Sequence, residues 1–163
     1  MSGCKKEQYT LVGNWQLTNF SQVTIASYFY PNYVDTVVFK MNNSIIHYTL
    51  DGVEKDPYGL LMQMNIEDDS VHVTEIISAI GASSTTKAYA GRWIYDGRKV
   101  FWGVPASSHL YNRVPNVNLG QADFTVEKLT SEVLVLGSHY RIFSADSTQL
   151  YDNNSTITFS RYK

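Results

Sequence analysis

The sequence predicts an all-β fold of about ten antiparallel strands, and three observations carry that reading. Short runs rich in Tyr, Val, Ile, Thr and Trp recur along the chain with turn signals between them. Within the runs, apolar and polar residues alternate. Ile157 and Phe159 share one face against Thr156, Thr158 and Ser160, and Phe124 and Val126 oppose Asp123, Thr125 and Glu127. One wet face and one buried face belong to antiparallel sheet, and no amphipathic stretch that would serve as a parallel crossover helix recurs between the runs. Composition agrees. Aromatics make up 13%, with 12 Tyr and 3 Trp, and charged residues only 17%, a mixture suited to a pleated, half-buried surface.

The first run is expected at residues 9–20, with Leu11, Val12, Trp15 and Leu17 among polar neighbours. Residues 34–41 and 44–50 read as a hairpin around Asn42-Asn43, and Asp51-Gly52 is the next turn. Residues 59–66 and 70–77 are joined across Glu67-Asp68-Asp69. Residues 87–95 and 98–104 flank Asp96-Gly97, which reads as a type I′ hairpin turn. Residues 122–129 and 132–136 form another pair, and 138–143 and 156–162 complete the set. Residues 21–33 are the one stretch that admits helix, and Pro31 with the β-branched and aromatic content limits it to a turn or two. Residues 78–86 read as a small, polar loop. Residues 105–120, with Pro105 and Pro115, read as a long loop, either a functional one or a plain excursion at a barrel end.

At 163 residues the chain fits one domain that buries roughly two-thirds of its unfolded surface, with no need of disulfides or metal. No linker or repeat divides it after the first eight residues, so residues 1–8 are expected to be a tether and 9–163 the domain. A net charge of −2 without a basic cluster argues against nucleic acid. No run of about 18 apolar residues is present to span a membrane as a helix. The single cysteine, in Ser2-Gly3-Cys4-Lys5-Lys6, is preceded by small residues and resembles the end of a bacterial lipobox. The apolar part of the signal peptide would then lie upstream of Met1. The expectation is lipidation at Cys4 and an address in the bacterial cell envelope, with the outer membrane as the favoured site. Acyl chains worth about 0.8 kcal/mol per buried CH₂ would anchor the domain. The alternative is a free cysteine in a tail.

Gly13-Asn14-Trp15 lies on the first strand and Arg161 near the end of the last. The pair resembles the opening Gly-x-Trp of lipocalins and their calycin relatives, in which a basic side chain packs across the Trp ring. Gly91-Arg92-Trp93 repeats the pattern mid-chain, and Lys163 is a weaker basic candidate. The wider plan comprises Cys4, residues 13–17, residues 91–97, the segment FTVEKLTSEVLVL at 124–136 and the final Thr156-Ile157-Thr158-Phe159. It is similar to the small lipocalin-like domains of secreted bacterial lipoproteins. The resemblance implies an antiparallel up-and-down barrel of eight to ten strands, with Gly13, Trp15 and Arg161 as its structural signature. A guanidinium over an indole face contributes roughly 0.5–2 kcal/mol, and the glycine is expected to let another backbone pass close by.

Chemistry is sparse. His47, His72, His109 and His139 form no close pair with one another or with Cys4, which argues against zinc. No Gly-x-Ser-x-Gly occurs. Asp68-Asp69 sits on a solvated turn, unsuited to paired-carboxylate chemistry, although Glu75 and Asp123 could meet inside a barrel. Neither an enzyme nor a cofactor is expected. Tyr28, Phe29, Tyr30 and Tyr33 cluster around Pro31, and His109, Tyr111 and Arg113 lie on the long loop. These residues either form the mouth for a small apolar or amphipathic ligand or, as the plainer arrangement, close the core. Phe39, Met41, Met62 and Met64 either line a cavity or fill it. Two functions remain: a ligand-binding barrel, or a filled barrel that contacts a protein or glycan. A mainly apolar cavity of about 300 Å³ or more separates them. Oligomeric state leaves no trace in the sequence.

Overall fold

Two-residue alternation is realised in eleven strands, seen in a computed structural model that describes residues 10–29, 32–104, 108, 122–144 and 146–163. In chain order these are β1 (Gly13–Phe29), β2 (Asn32–Asn42), β3 (Ile45–Leu50), β4 (Val53–Glu54), β5 (Tyr58–Ile66), β6 (Ser70–Ala79), β7 (Ser84–Tyr95), β8 (Lys99–Trp102), β9 (Ala122–Leu129), β10 (Val133–Phe143) and β11 (Gln149–Arg161). No helix occurs among the described residues. Every pairing is antiparallel, and β11 returns to β1, so ten strands form a closed barrel with β4 as a short appendage on β3. Closure removes the exposed sheet edges that would otherwise invite pairing with another chain.

β1 organises the barrel because it has different neighbours along its length. Gly13 to Gln16 pair with β5, whereas Ser21 to Phe29 pair with β2. The β2–β3 hairpin is therefore left out of the circuit beside Trp15, where eight strands close, and is inserted farther along. An eight-stranded barrel is just wide enough to be filled by side chains. Between Leu17 and Asn19 the register with β11 shifts. This bulge changes the parity of the strand: Trp15 and Leu17 point inward before it, and Phe20, Gln22, Thr24 and Ala26 after it.

Five expectations require correction. Residues 21–33 contain no helical turn among those described, because β1 continues to Phe29 and β2 begins at Asn32. The inward side chains Gln22, Thr24 and Ala26 are polar or small, which hid the strand period. The expected 78–86 loop is largely strand: Ser78 pairs with Ser84, and their hydroxyls lie 2.8 Å apart. The two expected runs at 132–136 and 138–143 are the single strand β10, and the last strand begins at Gln149 rather than Thr156. Asp96-Gly97 is not a type I′ pair. Of Asp96, Gly97 and Arg98 only Gly97 has positive φ, and the Arg98 and Lys99 amides donate to Asp96 Oδ1 while Asp96 N–H donates to Lys99 O. Positive φ at both central residues occurs instead at Asn43-Ser44 and Asp51-Gly52.

Candidate functional site

The barrel has a sealed end and a polar end. At the sealed end Trp15 is fully buried, and its indole N–H donates to Leu11 O at 2.7 Å. Arg161, its cross-strand partner on β11, lays its guanidinium 4.4 Å from the ring centroid and donates to Thr10 O. Gly13 has φ +138°, and a side chain there would meet the Arg161 guanidinium at 3.0 Å. The close approach at this glycine is thus made by a side chain rather than by the expected backbone. The backbone approach occurs at the second Gly-x-Trp, where any Cβ on Gly91 would collide with Gly103 O. Below the plug, Leu17, Phe20, Met62, Met64, Phe124, Leu134, Ile157 and Phe159 form a continuous apolar core, with Phe39, Met41 and Trp93 packed against it. The methionines and Phe39 fill this half of the barrel and leave the ligand question to the other half.

Beyond Phe20 the inward face turns polar. Gln22 and Thr24 on β1 face Ser155 and Asn153 on β11, and all four are buried. Gln22 Nε2 donates to Thr24 Oγ1 at 3.2 Å, and Thr24 Oγ1 donates to Asn153 Oδ1 at 2.7 Å. Asn153 Nδ2 is buried without a partner, as is the hydroxyl of Tyr140, which pairs with Asn153 in the β10–β11 ladder. Buried polar atoms are nearly always satisfied; Trp102 Nε1 and Arg161 Nε share this condition elsewhere, and what distinguishes the layer is that an unmet amide and an unmet hydroxyl belong to paired positions of one ladder. Burial pushes the Tyr140 hydroxyl well above the ordinary phenol range.

Next to this layer lies a cleft of about 200 Å³ on the inner wall of β1, β2, β3 and β11. Tyr28, Tyr48 and Tyr151 supply its rings, Thr24 and Asp35 its polar groups, and Ala26, Val37 and Leu50 the remaining wall. Tyr28 stacks on Tyr33 at 4.2 Å between centroids and Tyr48 on Phe39 at 4.8 Å, which fixes the rings before any ligand arrives. Burial, and next the nearby Asp35 carboxylate, push the Tyr28 hydroxyl up to about 12, with Tyr151 and Tyr33 adding to the effect. The Tyr28 hydroxyl also hydrogen-bonds Asp35. Burial and, next, Asp146 raise Tyr151 in the same direction, and its hydroxyl donates to Gln149 Oε1.

Of the residues singled out from the sequence, the structure brings Tyr28 and Tyr33 together and places Tyr28 in the cleft wall. Tyr33 and Phe29 are exposed at the rim, with Phe29 near Phe143. Cys4, Tyr30, His109, Tyr111 and Arg113 lie outside the described residues. Glu75 and Asp123 do not meet. Glu75 is buried inside the barrel and accepts from Ser108 Oγ at 2.7 Å, whereas Asp123 sits beside Lys99 at 3.6 Å with much of its side chain exposed. His47 and His139 make surface contacts with Glu54 and Asp152. Among the described residues no three His, Cys, Asp or Glu side chains converge as metal ligands. Sequence reasoning missed Thr24, Asp35, Tyr48, Tyr151 and Asn153. Each occupies an inward strand position, and polar residues at inward positions become visible only once register is known.

The barrel is similar to the crystal structure of a lipocalin-like protein from Bacteroides uniformis. Identity is 12%, the TM-score is 0.45, and the match covers 93% of this chain and 98% of that one. It is also similar to an uncharacterized protein from Bacteroides eggerthii, with 16% identity, a TM-score of 0.40 and coverage of 94% and 100%. No family model and no curated protein matches the chain.

Proposed function

We propose that this domain is a non-enzymatic ligand-binding barrel that holds a small amphipathic molecule in the Tyr28–Tyr48–Tyr151 cleft. We propose further that it is tethered to the bacterial envelope through Cys4. The observation that carries the binding reading is a preformed aromatic cleft whose wall includes Thr24, the residue that donates to Asn153 in the adjoining buried polar layer. Ligand sites combine an apolar wall with a few well-placed polar groups, and the two features adjoin through Thr24. At about 200 Å³ the cleft falls short of the ~300 Å³ cavity expected of a ligand-binding barrel, so the binding reading draws its support from the aromatic and polar lining rather than from volume, and its ligand is small. A second reading, an envelope interaction module, draws on the exposed rim residues Phe29, Val34 and Phe143.

Native mass spectrometry of the full-length protein from its own organism tests the binding reading. A co-purifying small molecule, lost in Thr24→Val, supports it. A clean apo mass, with no mass gained from a panel of small amphipathic compounds, contradicts it and leaves the interaction reading. Palmitate labelling in a Gram-negative host that is abolished by Cys4→Ala supports the tether, and unchanged membrane association in that variant contradicts it.

A further inference from the structure

We infer that the cleft selects an organic cation, with an ammonium head against Asp35 and a small apolar body among the tyrosine rings. The inference rests on the binding reading above and names the chemical class of its ligand. Among the described residues, Asp35 is the one ionisable carboxylate in the cleft wall, and no Lys, Arg or His lines it. Asp35 stands directly across the ladder from Ala26, the smallest side chain of the wall, so room is left beside the carboxylate.

Three phenol rings share the cleft wall with this carboxylate, two of them braced by stacking on Tyr33 and Phe39. Ring faces carry negative potential and attract an ammonium group, the arrangement used by aromatic cages. A carboxylate in partly desolvated surroundings adds a charge-assisted hydrogen bond to an N–H donor. An anionic ligand would be repelled by the carboxylate, and a neutral donor would gain a hydrogen bond to it without the attraction between opposite charges. The carboxylate accepts from the Tyr28 hydroxyl and keeps further lone pairs for an ammonium N–H, while Thr24 directs its hydroxyl proton to Asn153 Oδ1. The charge of the ligand is therefore set by Asp35 and its body by the rings.

Calorimetric titration with three compounds of one skeleton tests this: 2-phenylethylamine, 2-phenylethanol and phenylacetate. A charge-assisted contact in such a site predicts that the amine binds roughly tenfold or more tighter than the alcohol, with no measurable binding of phenylacetate. In Asp35→Asn, shown to be folded by circular dichroism, the amine should fall to within about threefold of the alcohol while the alcohol is unchanged. Equal binding of amine and alcohol to the wild-type protein, tighter binding of phenylacetate, or an undiminished amine preference in Asp35→Asn overturns the cation assignment and leaves the binding reading intact. Absence of binding by all three overturns both. The wild-type series decides even if the variant fails to fold.

Discussion

Trp15 and Thr24 lie on one strand and both point into the same barrel, yet their surroundings are opposite. Around Trp15 the eight-strand circuit is narrow and its lining apolar: the indole N–H meets Leu11 O, the ring face meets Arg161, and the Arg161 Nε is a buried polar atom without a partner. Around Thr24 the β2–β3 hairpin has been inserted, the layer is Gln, Thr, Ser and Asn, and two buried polar atoms have no partner. The difference teaches that closure and binding are divided between the two ends. The apolar end supplies stability through area removed from water, about 25 cal/mol per Å², and can therefore hold the polar end open at some cost in unsatisfied groups.

Trp15→Ala should have the largest effect, destabilising the barrel by about 3–5 kcal/mol in urea unfolding. A loss no larger than that of a rim variant such as Phe29→Ala would break the comparison. Thr24→Val removes the hydroxyl that donates to Asn153 Oδ1 and should cost about 1–3 kcal/mol. Adding Asn153→Leu should recover part of that loss, since replacing both partners with apolar groups removes the unmet amide as well. Strictly additive costs would show that the polar layer is not the coupled unit described. Arg161→Met should cost roughly 0.5–2 kcal/mol, the range of a cation–π contact, and should shift Trp15 fluorescence with little change at the cleft.

The smallest effect is in titration. Folding raises the Tyr28 hydroxyl from 10 to about 12, so its neutral form is favoured in the barrel. That contribution is present below pH 10 and disappears as pH rises through about 12. Ultraviolet titration against Tyr28→Phe should reveal one late-titrating phenol, which moves earlier in Asp35→Asn. A Tyr28 that titrates with the exposed tyrosines would remove the claim that it is enclosed beside Asp35.

The sealed end was legible in the sequence because its logic is local. Gly13-Asn14-Trp15, the alternating final strand and the terminal Arg161 each carry their signal within a few residues. The polar end was not. Inward Gln22, Thr24 and Ala26 mimic an irregular segment, since alternation is detectable only when the inward set is apolar. The bulge at Leu17/Asn19 then reversed which residues point inward, and a one-residue shift sends every side chain to the other face. Asp35 and Tyr151 are far apart in sequence and reach one wall only because β1 pairs with both β2 and β11. The Tyr28 and Tyr33 cluster was noticed as aromatic, but its partner Tyr48 came from a hairpin whose placement depends on that pairing.

The most direct test of the division between the ends is a two-dimensional NMR titration of the wild-type barrel with 2-phenylethylamine and, separately, 2-phenylethanol. The account predicts that either compound shifts the resonances of Thr24, Tyr28, Asp35 and Tyr48 and leaves those of Trp15, Met64 and Phe159 in place. Shifts centred on Trp15 and Phe159, or none at the cleft from either compound, would contradict it.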